Sequence, residues 1–133
     1  MATWADVSGL ALALPDVVEG ADTNGLKWEV HHKYFAWERP VRRRDIEELG
    51  DAMPHGPILG ALVPDLPDKR GLIGSSPDVF FTVPRYADYP AVLVLIDRIS
   101  LEQLNEVLTE AWLCRAPKRL AAEFLGDTMR GST

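Results

Sequence analysis

The stretch SSPDVFFTVPRYADYPAVLVLI, residues 75–96, decides how the chain is read. Val79 to Val83 and Ala91 to Ile96 are rich in β-branched and aromatic side chains, which pack well on a pleated surface. Seven residues separate them, and a connection this short suits an antiparallel pair. Pro84 and Pro90 offer no ladder donor and so bound the two strands, leaving RYADY, residues 85–89, as the loop. Ala91 to Ile96 holds no polar residue, so this strand is expected to be covered on both faces or nearly so.

Further along the chain, Ser100 and Gln103 have capping-box spacing. Leu101, Leu104, Leu108, Ala111 and Trp112 then form one apolar stripe, which predicts a long helix. Glu102, Glu106 and Glu110 lie on its other side; their spacing is what amphipathicity alone produces, so they read as a solvated ridge and not a metal cluster. Pro117 opens a last helix with Leu120, Ala121, Phe124 and Leu125 facing inward.

Toward the N-terminus, Ile58 to Val63 predicts a strand in which Gly60 marks a bulge or a close backbone approach. Asp65 caps a short helix over Leu66 to Ile73, with Pro67 in its first turn and Gly74 at its end. Arg39 to Pro57 is loop-like, with room for one helical turn over Asp45 to Leu49. LKWEVHHKYFAWE, residues 26–38, alternates as strands do and predicts a hairpin turning at His31-His32, with Tyr34 or Phe35 and then Trp37 in the second strand. Glu19 to Gly25 reads as a connection, and Thr3 with Asp6 caps a first helix whose Trp4, Val7, Leu10, Ala11 and Leu14 share one face.

The order is helix, three strands, short helix, two strands, helix. It predicts a single domain over residues 1–133, an α+β two-layer sandwich with a mostly antiparallel five-stranded sheet and helices on one face. At 133 residues such a chain buries roughly two thirds of its unfolded surface without a metal or disulfide, and Cys114 alone forms no internal bridge. No N-terminal segment has signal-peptide character, and Ala91 to Ile96 falls far short of the roughly 20 apolar residues of a membrane helix. A cytoplasmic protein with no membrane partner is expected.

FAWERP (35–40), FFTVPRYADYPAVLVLIDRI (80–99) and EAWLCRAPKRL (110–120) together resemble the MmcQ/YjbR-like family, in an actinobacterial branch. The resemblance runs from Leu14-Pro15 to Leu120. It implies a two-layer fold like that of type III secretion chaperones, and a DNA-binding label common in the family. The chain departs from the family pattern: Lys33 keeps one positive charge beside the His31-His32 turn, the lysine many relatives carry near Gly60 or Ala61 is missing, and Arg85-Tyr86 stand where relatives often have His and an aromatic.

Adjacent His31 and His32 point to opposite faces of a strand, His55 lies in a distant loop and no Cys-x-x-Cys pair exists, so no metal and no cofactor are expected. Cys114 falls near a helix C-terminus, which disfavours thiolate; no Gly-x-Ser-x-Gly elbow is present, and Gly71 to Ser76 lacks the P-loop lysine. Enzymatic activity is not expected. Trp28, Trp37, Tyr86 and Tyr89 can offer rings for base stacking, whereas Trp112 belongs to the core.

The formal charge of −6 argues against broad attraction to nucleic acid, so any such site needs a local basic face. Two clusters qualify, Arg42-Arg43-Arg44 and Arg115, Lys118, Arg119. The expected nucleic-acid site is Arg42, Arg43, Arg44, Arg85, Lys118 and Arg119, with Tyr86 as the stacking residue. The resulting expectation is a non-enzymatic binding domain with DNA as partner. The alternative is a protein-interaction or small-ligand domain, a homodimer included, using aromatics on the free sheet face.

Overall fold

The computed structural model describes residues 2–50 and 56–131, of which 127–131 as backbone alone. His55 lies outside the described residues. Helix α1 (Trp4–Leu12) is followed by β1 (Val17–Asp22), β2 (Gly25–Val30), β3 (Lys33–Glu38) and α2 (Arg43–Leu49). Then come β4 (Ile58–Leu62), α3 (Leu66–Ser75), β5 (Phe80–Phe81), a 3-10 turn over Pro84–Tyr86, β6 (Ala91–Leu95), α4 (Leu101–Arg115) and α5 (Lys118–Gly131). All strand pairs are antiparallel, in the order β1-β2-β3-β4-β6-β5.

The α+β architecture is as expected, but the sheet has six strands, not five. The additional one, β1, occupies part of the segment read as a connection. It is an edge strand, partly covered at Val17 and exposed from Val18 to Asp22, so it carries no inside-outside alternation to betray it. α2 is likewise a seven-residue helix and not a single turn.

α1 starts as its cap dictates. Thr3 Oγ1 accepts the Asp6 N–H at 3.2 Å, and Asp6 Oδ2 accepts the Thr3 N–H at 2.9 Å. α4 packs on β3, β4 and α1, and with α1 it covers one sheet face. Register places Trp28, Ala36, Ala61 and Val92 in one line across that face, all fully buried. Trp28 stacks on Trp4 with 6.3 Å between ring centroids, and Trp112 lies in the same core, its indole N–H donating to the Pro15 carbonyl at 3.0 Å. Trp28 was expected to offer a ring for stacking; it is core instead, because its strand turns it under α1.

The opposite face is not bare. Ile58, Leu93 and Leu95 point there and form a second cluster with Val83, joined by Leu49 of α2, Phe81 and Tyr86. α2 and the 3-10 turn thus roof part of the face that was expected to be open, and β6 is buried along its whole length.

Candidate functional site

The site is made by one irregularity in β3. Lys27 pairs with Trp37 and Trp28 with Ala36, but Glu29 then pairs with Tyr34 and Val30 with Lys33, so β3 carries one extra residue at Phe35. A bulge of this kind turns both Phe35 and Ala36 into the core and leaves Tyr34 and Trp37, three residues apart, on the same outer face. Gly60 was expected to mark a bulge or a close backbone approach. It sits in regular register, and what approaches is the Trp37 side chain: a Cβ at Gly60 would fall 2.8 Å from Trp37 Cζ2 and closer still to the indole nitrogen. The indole occupies the space where β4 has no side chain.

Trp37 and Tyr34 floor a cleft of about 740 Å³. Asn24, Lys27, Lys33 and Glu38 line it from the β1–β2 turn and the β2–β3 hairpin, and Arg115 reaches it from the last turn of α4, its Nε donating to the Tyr34 carbonyl at 3.4 Å. Arg39, Pro40 and Arg42 form one wall, and Arg85, Tyr86 and Tyr89 of the β5–β6 loop form the other.

Both walls are anchored by buried charge. Arg39, 4% exposed, donates to Asp45 Oδ1 at 3.0 Å and to the Pro40 carbonyl, and its guanidinium lies 5.4 Å from the centre of the Tyr86 ring. Asp45 also accepts the Arg42 N–H at 2.9 Å, which ties the start of α2 to the end of β3. Burial works to raise the Asp45 carboxyl; the Arg39 hydrogen bond, the Arg42 N–H and the two arginine charges outweigh it and hold the group below the ordinary carboxylate range. Behind the other wall Lys69 of α3, 2% exposed, donates to the carbonyls of Tyr86 at 2.5 Å and Tyr89 at 3.0 Å. That clamp fixes the loop and the T-shaped Tyr86–Tyr89 pair, whose centroids are 5.7 Å apart.

No family model matches the chain. An uncharacterized protein of Mycobacterium tuberculosis is 44% identical over 131 residues, spanning 96% of this chain and 99% of that protein, and an uncharacterized protein of Mycobacterium bovis matches equally. The chain belongs to the family of these mycobacterial proteins. A solved structure shares the fold: the Deinococcus radiodurans protein DR2400, a DUF419 domain, aligns with a TM-score of 0.61 over 86% of this chain and 78% of that one, at 19% identity.

In this member of the family, six cations line the cleft against one carboxylate, Glu38. Lys27 is paired with Asp22, and Arg39 with Asp45. Lys33, Arg42, Arg85 and Arg115 have no carboxylate at ion-pairing distance among the described residues. Four cations with no carboxylate partner among the described residues thus stand around four aromatic rings, a combination chemically suited to an anion that carries a flat ring.

Of the expected nucleic-acid site, the cleft brings together Arg42, Arg85 and Tyr86, and with them Trp37 and Tyr89, two of the other rings named for stacking, and Arg115 of the second basic cluster. Arg43, Arg44, Lys118 and Arg119 do not line it. Arg43 and Arg44 pair with Glu47 and Glu48 one turn along α2, and Arg119 pairs with Glu123 on α5. Consecutive arginines on a helix fan out over roughly 100° each, so a run of three cannot aim at one ligand. Lys27, Tyr34, Glu38 and Arg39 were missed as site residues, and Lys33 and Arg115 were noted for their charge but left out of the expected site. Period-two alternation would have grouped several of them, had the bulge at Phe35 been visible.

Among the described residues no three His, Cys, Asp or Glu stand close enough to hold a metal. His31 and His32 both have positive φ, 48° and 67°, and form the two-residue hairpin turn, with His31 Nε2 2.9 Å from Asp16 Oδ2. Cys114 is half-buried, its Sγ 3.2 Å from the Glu110 carbonyl; burial and the Glu110 charge push the thiol up, away from a nucleophilic thiolate.

Proposed function

We propose that the protein is a non-enzymatic binding module of the MmcQ/YjbR type whose cleft holds a phosphate-bearing aromatic ring, as an unpaired nucleotide of single-stranded DNA presents it. One observation carries the reading: Lys33, Arg42, Arg85 and Arg115, none paired with a carboxylate among the described residues, surround Tyr34, Trp37, Tyr86 and Tyr89 in one cavity. Single-strand binders combine these two elements, rings on which bases stack and cations that follow the phosphates. A concave cleft also suits a base that is splayed out of a helix better than a convex duplex. The DUF419 fold of the Deinococcus protein and the FAWERP and EAWLCRAPKRL segments support the family assignment.

A second reading is favoured by size. A volume of about 740 Å³ falls inside the 300–1,000 Å³ typical of small-molecule pockets, so a free nucleotide is the other source of the same chemistry.

Fluorescence anisotropy with a short labelled DNA single strand, its duplex and a free nucleotide as competitor separates the two. Single-strand binding is expected, weakened more than about tenfold by Arg42→Ala, Arg85→Ala and Arg115→Ala together and unchanged by Arg43→Ala with Arg44→Ala. Binding of the free nucleotide alone would select the second reading. Absence of any binding, or a triple variant that binds as the parent does, would overturn both.

A further inference from the structure

We propose that Glu38 is the specificity determinant of this cleft, an acceptor for the N–H edge of the bound ring, and that among the bases it selects guanine. The inference rests on the nucleotide reading above. Glu38 shares the cleft with six cations and pairs with none of them within ion-pair distance among the described residues. A carboxylate left unpaired in such company is held by something else. Its Oε1 accepts the Leu26 N–H at 3.1 Å, and the carboxylate occupies the space over Gly25, where a Cβ would fall 2.6 Å from Cδ. Gly25 itself has φ +116°, a conformation open to glycine and strained for other residues. The hairpin is therefore built around a seat for this group.

A carboxylate offers about four acceptor positions, and Leu26 uses one of those on Glu38. The rest of the charge on the cleft lining is donor in character. A ligand that satisfies both needs an anionic part for the arginines and N–H groups for Glu38. Guanine presents its N1–H and its exocyclic amino group side by side, two parallel donors that match the two oxygens of a carboxylate, with charge assistance. Thymine presents one N3–H between two carbonyl oxygens, which the carboxylate repels. Adenine and cytosine each place one amino group next to a ring-nitrogen acceptor and fall between.

Calorimetric titration with dGMP, dCMP, dAMP and dTMP tests this. dGMP is expected to bind about tenfold tighter than dTMP, in line with one good bidentate pair. Glu38→Gln keeps an oxygen for the Leu26 N–H, so the hairpin persists, yet places an amide donor against guanine's donors; the preference is expected to vanish while dTMP affinity holds or rises. Glu38→Asp retains the charge, withdraws it by one methylene and is expected to lose the preference as well, which serves if the glutamine variant fails to fold. Equal affinity of the parent protein for all four nucleotides, or a guanine preference that survives in both variants, would refute the role of Glu38 and leave the cleft reading intact. Failure of every nucleotide to bind would overturn the role of Glu38, and absence of single-strand binding as well would overturn the cleft reading.

Discussion

Lys69 is a charged residue on a helix, and from sequence alone it belongs on a solvated face. In the fold it is 2% exposed and holds the carbonyls of Tyr86 and Tyr89, so it ties α3 to the loop that carries half the cleft's aromatic rings. Burial pushes its ammonium below the ordinary lysine range, and the Asp88 charge opposes that only in part. A lysine with a depressed folded pKa releases its proton earlier in the folded than in the unfolded state. Unfolding then takes up protons, so this group makes stability rise with pH in the window between its folded and its unfolded pKa. The neutral amine still has two hydrogens for its two carbonyls, so the clamp survives deprotonation. Lys69→Met should remove one of two donors from each carbonyl, leaving the Tyr89 and Ala91 N–H groups in place, and cost about 1–3 kcal/mol for the two lost hydrogen bonds, and the alkaline rise should disappear with it. Urea melts at stepped alkaline pH check both; a parent whose stability falls throughout that range, or a methionine variant with an unchanged slope, contradicts the account. The role of Lys69 was not legible, because it depends on α3 meeting a loop twenty residues away.

Elements were legible in proportion to how one-sided their environment is. α4 announces itself because its apolar stripe meets the core while Glu102, Glu106 and Glu110 face solvent. β6 announces itself because both of its faces are covered. β1 has almost no buried face and α2 buries Asp45 instead of an apolar stripe, so neither left a periodic signal. The bulge at Phe35, which sets two aromatics side by side on the cleft floor, has no signature beyond the apolar pair Phe35-Ala36. The hairpin turn lies between these cases: its position was legible, its conformation was not. A type I′ turn needs positive φ at both central residues, where Asn-Gly is favoured and a branched-ring side chain costs roughly 1 kcal/mol or more. His31-His32 accepts that strain, offset in part by the exposed contact between His31 and Asp16. Replacing the pair with Asn-Gly should stabilise the protein by about 1 kcal/mol, a rise in melting temperature of roughly 3 °C for a chain of this size. Thermal unfolding followed by circular dichroism decides it, and a lower melting temperature would mean that the Asp16 contact outweighs the strain.

At the scale of the whole molecule, a formal charge of −6 and a cationic cleft coexist because composition sums charge while the fold sorts it. The fold class was legible from element order. The cationic face was not, since Lys33, Arg42, Arg85 and Arg115 come from four separate segments, the β2–β3 hairpin, the start of α2, the β5–β6 loop and the end of α4, that only the fold brings together. The arginine run at 42–44 looked like the site and contributes one residue to it. This sorting has a measurable consequence for the proposed single-strand binding. The logarithm of affinity falls with the logarithm of salt concentration by about 0.7 for each phosphate neutralised on a single strand, so four cations without a carboxylate partner among the described residues predict a slope near −3. Arg85→Ala should shift the slope to about −2 and weaken every sequence alike, whereas Arg43→Ala with Arg44→Ala, residues already committed to Glu47 and Glu48, should leave it unchanged. Were the whole arginine run the contact surface, the double variant would flatten the slope more than the single one. A slope near zero would mean that no phosphate is neutralised in the cleft, and that its four cations answer to an uncharged or carboxylate ligand instead.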